Sequence, residues 1–413
     1  MLRRQLLRYS NAHLRSQFSK KEASTFYAKD LIIKENQNPP SLPENFHSDD
    51  YLMNLPFGVL PTPHMLHIDY DQATGWGKPY IEEFKNLSIP AASSALHYGL
   101  QCFEGMKAYY QKEQERICMY RPDMNAKRFQ RSSKSIALDG DFDQGELVEC
   151  IRQLVNLDRE WVPKNDKGSL YIRPTHIAWN SGLGVAAPDK SKIFVMLTPV
   201  GPYFKTGFNP VDLLADPKFI RAWPGGTGSA KCGGNYGPTI PVQTVAMQES
   251  GCSQCLWLFN DGQDDPIITE VGAMNFMMVW HRPEDGKLEL ITPPLDDPVG
   301  SRSMDVILPG VTRDSILELA KSWGEFEVTE RTIRWSELKK AQKENRIVEA
   351  FGCGTAVVVC PIGRFLDKSE NPEGEWLEIP SKEQKYRQKF YDAIIDIQTK
   401  GATPPEENWL VTV

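Results

Sequence analysis

The feature that most constrains this chain is the run Gly225-Gly226-Thr227-Gly228-Ser229-Ala230-Lys231-Cys232-Gly233-Gly234-Asn235-Tyr236-Gly237, in which six glycines surround one lysine. Glycine lets main chain pass close to a bound group, so this segment reads as a tightly folded loop with a lysine placed among backbone atoms. As a phosphate cradle it fails, because the P-loop pattern needs a glycine before its lysine and a hydroxyl after it, and Ala230 and Cys232 stand there. The dinucleotide pattern fails too: after Gly226 and Gly228 its third glycine or alanine would fall on Lys231. Two readings remain, a solvated lysine on a glycine-rich loop or a Schiff-base lysine with Tyr236, five residues on, as a phenol partner.

Composition narrows the setting. A chain of 413 residues suits two domains, each long enough to bury a core. No apolar run approaches the ~20 residues of a membrane span. Arg3, Arg4, Arg8, Arg15, Lys20 and Lys21 all precede the first acid, Glu22, and alternate with Leu2, Leu6, Leu7, Leu14 and Phe18. That acid-free amphipathic opening reads as a mitochondrial transit peptide over about residues 1–25, and hence a matrix protein. A basic nucleic-acid arm would predict further basic clusters, but the remainder is acidic and the whole chain carries a formal charge of -7, against nucleic acid as a partner. Eight scattered cysteines without a secretory signal read as free thiols. Cys252 and Cys255 form a lone CxxC running into Leu256 and Trp257, and neither a second CxxC nor a His pair is spaced for zinc.

After a polar lead-in over residues 23–43, Met65–Tyr80 predicts a hairpin and Leu87–Pro90 a short edge strand. Strands follow over Ile117–Tyr120, Leu170–Pro174 and Lys192–Pro199. Arg121-Pro122-Asp123 opens a helix whose Lys127, Arg128 and Arg131 by themselves read as a solvated face. Asp143–Glu146 caps another, with a core stripe of Leu147, Ile151, Leu154, Val155 and Trp161. Four Gly or Pro in Val200–Pro210 mark a linker, dividing a smaller N-terminal domain (45–200) from a larger C-terminal one (212–413) across residues 201–211.

The second half reads as strands over Val211–Ala215, Gln254–Phe259, Ile267–Trp280 and Val348–Cys360, and helices over Pro238–Gln248, after a Ser336 cap, and around Phe390, Ile394 and Ile397. Leu308-Pro309-Gly310-Val311-Thr312 leads into a further helix whose free N–H groups suit an anion. Glu270 sits in an otherwise apolar strand, where an unpaired carboxylate is costly; it is either exposed at the strand's start or paired with a cation. Loosely alternating strands and helices give two α/β or α+β domains.

A lysine for an aldehyde, a phenol for a ring oxygen, an acid for a ring nitrogen and an anion-ready helix start together match what pyridoxal 5'-phosphate requires. Four ordered segments, Gln101–Ala108, Lys231–Gly237, Thr269–Gly272 and Phe351–Ala356, make the chain from about Pro56 to Val413 resemble the branched-chain amino-acid aminotransferases, fold-type IV pyridoxal-phosphate enzymes. The resemblance implies that architecture, a homodimer, and transamination of L-leucine, L-isoleucine and L-valine with 2-oxoglutarate. It implies that Lys231 carries the cofactor and moves the substrate proton, that Glu270 faces the ring nitrogen and Tyr236 the ring oxygen. Arg128, the Val311 and Thr312 N–H groups and Thr355 would bind the phosphate. Phe57, Tyr98, Phe103, Tyr171 and Tyr203 would line the apolar pocket, the Thr355–Ala356 backbone would bind the substrate carboxylate, and Arg173 the distal carboxylate of glutamate.

Two residues depart from the family pattern: Ala273 stands where a threonine is usual, and Val357 removes the first cysteine of a CxxC of which Cys360 remains. Residues Asp296–Asp305 read as an insertion. The alternatives are a D-amino-acid aminotransferase or an aminodeoxychorismate lyase on the same fold, or a non-catalytic interaction protein.

Overall fold

The computed structural model describes residues 25–202, 209–295, 305–380 and 384–413. The expected leader up to residue 24, Tyr203 and all but Asp305 of the Asp296–Asp305 segment lie outside these residues.

Strands with apolar inward faces build a first sheet. His64–Asp71 pairs antiparallel with Tyr80–Glu83 on one side and Lys190–Val200 on the other, and the sheet continues through Ser169–Ala178, Met106–Gln111 and Arg116–Tyr120. Among the described residues this is a 10-stranded sheet, and its last strand, Leu410–Thr412, returns from the C-terminus to pair with Arg116–Tyr120. The expected hairpin forms, with Gly75–Trp76 pairing back on His64–Asp71. Leu87–Pro90 forms no strand, and Pro90 has no N–H to give a ladder.

The helices Pro122–Ser135 and Gln144–Leu157 share a buried cluster with this sheet, where Ala126, Phe129, Leu147 and Leu154 meet Leu66, Ile172 and Val195. Asp143 caps the second helix as its sequence predicts, accepting the Glu146 N–H at 3.0 Å. Trp161 is buried with that stripe but belongs to the short turn Arg159–Trp161 after the helix.

The chain leaves the first sheet at Val200 and enters a second at Val211. Val211–Ala215 runs parallel to both Gln254–Phe259 and Val358–Asp367. Ile267–Val271 pairs with Gln254–Phe259 and with Met274–His281, which closes the path through Val211–Ala215, Val358–Asp367 and Ile347–Gly354 back on itself.

Two stretches that read as single strands are hairpins. Ile267–Trp280 breaks at Gly272-Ala273, where Gly272 takes φ 53° without a side-chain penalty, and the fold-back sets Glu270 opposite Asn275. Val348–Cys360 breaks at Thr355-Ala356-Val357 between Ile347–Gly354 and Val358–Asp367. A long apolar run and two buried strands with a tight turn share the same periodicity. Ser336 is not the cap of its helix: Trp335–Lys343 starts one residue earlier, and the Ser336 N–H donates to Asp265 Oδ1 at 3.0 Å. A loop carboxylate at a helix N-terminus is favoured by the same unsatisfied donors a serine would serve.

A third cluster joins the sheets, packing Tyr109 and Tyr120 of the first against Met277, Val279 and Leu290 of the second, with Ile316 and Leu317 of the helix Val311–Trp323 and Phe390 and Ile394 of Lys385–Ile395. This packing holds the start of Val311–Trp323 at the cleft between the sheets.

Candidate active site

A cavity of about 340 Å3 lies between residues of the two sheets. Lys231 and Tyr236 of the glycine-rich loop line it, and the Lys231 backbone is clamped from both sides. The Phe103 N–H donates to the Lys231 carbonyl at 3.0 Å, and the Lys231 N–H donates to Ser132 Oγ of the helix Pro122–Ser135 at 2.9 Å. With its backbone held, Lys231 places Nζ 2.9 Å from the Tyr236 hydroxyl and 4.9 Å from the centre of the Phe103 ring. The lysine is therefore not a solvated surface charge.

Glu270 is 3% exposed, which settles its two readings in favour of pairing. Arg221 Nη2 lies 2.7 Å from Oε2, while Oε1 accepts the Leu308 N–H at 3.0 Å and the Asn275 amide at 3.3 Å. Burial lifts the carboxyl above its ordinary range, and Arg221 first, then the Leu308 N–H, Lys231 and Arg128, pull it part of the way back. Arg221 and Asn275 carry no signal of their own in the sequence. The demand for a cation was readable at Glu270, but the supplier was decided by which loop packs beside it.

Asn275 also donates to the Leu308 carbonyl at 2.8 Å, and so ties the hairpin to the approach of the helix Val311–Trp323. A Cβ on Gly310 would overlap the Asn275 carboxamide oxygen, so a side chain at position 310 would displace Asn275 from Glu270 and Leu308. No side chain caps it, and Val311 and Thr312 line the cavity beside Thr355. Arg128 lines it as well, although it is 7% exposed. Its guanidinium grips Glu104 through Nε at 2.7 Å and Nη2 at 2.8 Å, and Nη1 donates to the Pro309 carbonyl at 2.8 Å. Lys127 and Arg131 of the same helix are exposed, so the solvated-face reading holds for them and not for Arg128.

The aromatic wall is partly as expected. Phe57 packs edge-on against Tyr171 at 5.0 Å, and Phe103 lies 5.2 Å from Tyr236. Arg173 lies over the Phe103 ring at 4.7 Å, with Nη2 3.1 Å from the Tyr171 hydroxyl and Nε buried without a partner among the described residues. Tyr98 is not among the lining residues: its hydroxyl donates to the Leu183 carbonyl at 2.6 Å on an exposed surface. Ala356, Val357 and Ala273 complete the wall.

Residues 101–365 match the family described as amino-transferase class IV. The chain belongs to the class IV aminotransferases. It is 46% identical over 389 residues to the cytosolic branched-chain-amino-acid aminotransferase of Mus musculus, covering 92% of each chain. It is likewise 46% identical over 362 residues to the mitochondrial branched-chain-amino-acid aminotransferase of Rattus norvegicus, covering 87% of this chain and 86% of that one. Among solved structures, the Escherichia coli branched-chain amino acid aminotransferase aligns at a TM-score of 0.62 and 25% identity over 80% of this chain and 95% of that chain. A branched-chain amino acid aminotransferase from Thermobaculum terrenum in its PLP form aligns at 0.61 and 18% identity over 85% and 98%. The architecture of this class IV aminotransferase is accordingly fold-type IV. Its eight cysteines, Cys252, Cys255 and Cys360 among them, are all buried and unbridged.

Proposed function

We propose that this aminotransferase uses pyridoxal 5'-phosphate to exchange the amino group of L-leucine, L-isoleucine or L-valine with 2-oxoglutarate, giving branched-chain 2-oxo acids and L-glutamate. The observation that carries the reading is Lys231 Nζ, 2.9 Å from the Tyr236 hydroxyl, in a cavity shared with the buried Glu270. Relatives 44–46% identical over most of the chain bear the branched-chain aminotransferase name.

The donor set fits the cofactor. Lys231 offers an amine to an aldehyde, and Tyr236 a hydroxyl to the ring oxygen. Glu270 offers a carboxylate, held by three donors, to a protonated ring nitrogen. The uncapped N–H groups of Val311 and Thr312, with Thr355 and the edge of Arg128, suit a phosphate. When bound, the cofactor supplies an electron sink for the charge left at the substrate's α-carbon. Lys231 Nζ takes the α-proton, and the Tyr236 hydroxyl orients the amine for it. Arg221 favours the ionised form of Glu270 against the pull of burial.

Phe57, Phe103 and Tyr171 enclose the branched side chain and exclude water from it. Such a box separates methylene homologues by only ~1–3 kcal/mol, so all three amino acids are substrates. Glutamate uses the same pocket, with Arg173 meeting its distal carboxylate, and the backbone of Thr355 and Ala356 binds the α-carboxylate. Tyr98 and Tyr203 enter this reading on resemblance alone.

Replacing Lys231 by Ala is expected to give a colourless protein without half-reaction activity, and an active variant overturns the assignment. A panel of L- and D-amino acids and chorismate derivatives separates branched-chain transamination from the other chemistries of the fold.

The same reading divides the chain into domains at residues 45–200 and 212–413 and makes it a homodimer. Leu183 and Val185, 60% and 85% exposed beside Tyr98, are apolar surface available for burial; light scattering of the holoenzyme tests the dimer. The mitochondrial matrix is the proposed compartment, resting on the arginine-rich, acid-free residues 1–21. Named relatives occur in both cytosolic and mitochondrial forms, and an import assay with and without residues 1–24 decides between them.

A further inference from the structure

Lys107, on the strand Met106–Gln111, has no part in the roles assigned above. It is 8% exposed, and among the described residues its ammonium has one hydrogen-bond acceptor, the Ala356 carbonyl at 3.3 Å. No carboxylate is paired with it among those residues, and burial alone lowers its pKa, to about 8. It borders a small cavity of about 20 Å3 together with Asn125, Thr312, Thr355, Val358 and Gln398.

Gln398 brings a second anomaly to that space: it is 4% exposed, and its Oε1 has no partner among the described residues. The π turn Asp396–Lys400 sets its position, with Gln111 Nε2 donating to the carbonyls of Ile397 and Gln398 at 2.8 and 3.3 Å. The cavity has room for one water, which would serve the spare protons of Lys107 and the orphan oxygen of Gln398 together. The turn held by Lys107 is itself strained. Val358 sits at φ 62°, where a β-branched residue is an outlier, and such a conformation persists only under outside constraint. The Ala356 carbonyl and the Val357 N–H belong to one peptide unit, and both residues line the active cavity. A cation on that oxygen strengthens the N–H as a donor.

We propose that Lys107 is a positioning residue for the substrate's α-carboxylate. Among the described residues it is a buried cation without a protein counter-ion, and it holds the Thr355–Val357 turn through the Ala356 carbonyl and a water shared with Gln398. The substrate carboxylate completes its charge balance. The proposal rests on the reading of this turn as the carboxylate-binding wall.

The test is inhibition of the holoenzyme by 4-methylvaleric acid and by its neutral amide. Replacing Lys107 by Met is expected to weaken the acid about tenfold and the amide less than about twofold, with Lys107→Arg within about threefold of the parent for the acid. The KM values for leucine and 2-oxoglutarate rise together by about the same factor, while kcat changes less than about threefold. Equal weakening of acid and amide, or an unchanged acid constant in Lys107→Met, overturns the proposal. If the parent enzyme binds the acid no better than the amide, it is the carboxylate-wall reading that fails. Should Lys107→Met not fold, Gln398→Leu carries the test: the acid constant rises about two- to threefold with the amide unmoved, and no rise overturns the proposal.

Discussion

Two buried charges flank the active cavity from opposite sheets, and the protein treats them differently. Glu270 of the second sheet is met by the guanidinium of Arg221, the Leu308 N–H and the Asn275 amide. Lys107 of the first sheet is met, among the described residues, by one backbone carbonyl. Removing one partner of a buried ion pair costs ~3–5 kcal/mol, so Glu270 is locked in place whatever occupies the cavity. A buried cation without an anion favours whatever anion arrives. On the proposed reading, the first charge serves the bound cofactor and the second a substrate group that enters and leaves each turnover.

The largest effect is expected at Lys231, whose charge acts on Glu270. Lys231→Ala is expected to lower the half-reaction by ~10^4-fold or more, read as the absorbance change on mixing with leucine. Glu270→Gln keeps the shape and removes the charge; kcat should fall on the order of 10^3-fold, by steady-state assay.

Arg221→Met breaks the pair from its other side. Arg221 favours the ionised carboxyl, so without it the pKa of Glu270, already raised by burial, rises further. The acidic limb of the kcat/KM profile should then move to higher pH, and urea titration should show a loss of ~3–5 kcal/mol. Lys107→Met sharpens the contrast through linkage. The lysine pKa is lowered from 10.5 to about 8 by burial, so between these values the unfolded chain binds more protons than the folded one. The parent should gain about 3 kcal/mol over the variant as pH rises from 8 to 10.5, and lose it again as pH falls through 8. The smallest effect is expected from Ala273→Thr, which adds a hydroxyl to the cavity wall and should change cofactor affinity by less than ~1 kcal/mol in a dialysis titration.

Lys231, Tyr236 and the helix start at Gly310–Thr312 were legible because each carries a local demand: a lysine among glycines, a phenol at fixed spacing, free N–H groups behind a glycine. Glu270 was legible as a question, since a carboxylate in an apolar strand requires an answer. Arg128 was not legible from its helix, where Lys127 and Arg131 share its chemistry and differ only in which way they face. Tyr98 looked like its pocket neighbours by residue type, yet it ends on an exposed surface against Leu183.

By itself the amino-acid order determined the chemical inventory, the two-part α/β layout and, through four ordered segments, the family. Those are properties of residues and their spacing along the chain. Only the tertiary structure decided the partners: that Ile267–Trp280 folds back at Gly272 to put Asn275 beside Glu270, that Arg221 reaches the same carboxylate, and that Lys107 reaches Ala356, 249 residues away. The reason is physical. A buried charge states that it needs compensation, but which group supplies it depends on strand register and sheet packing, set by the apolar core as a whole rather than by any segment the charge belongs to.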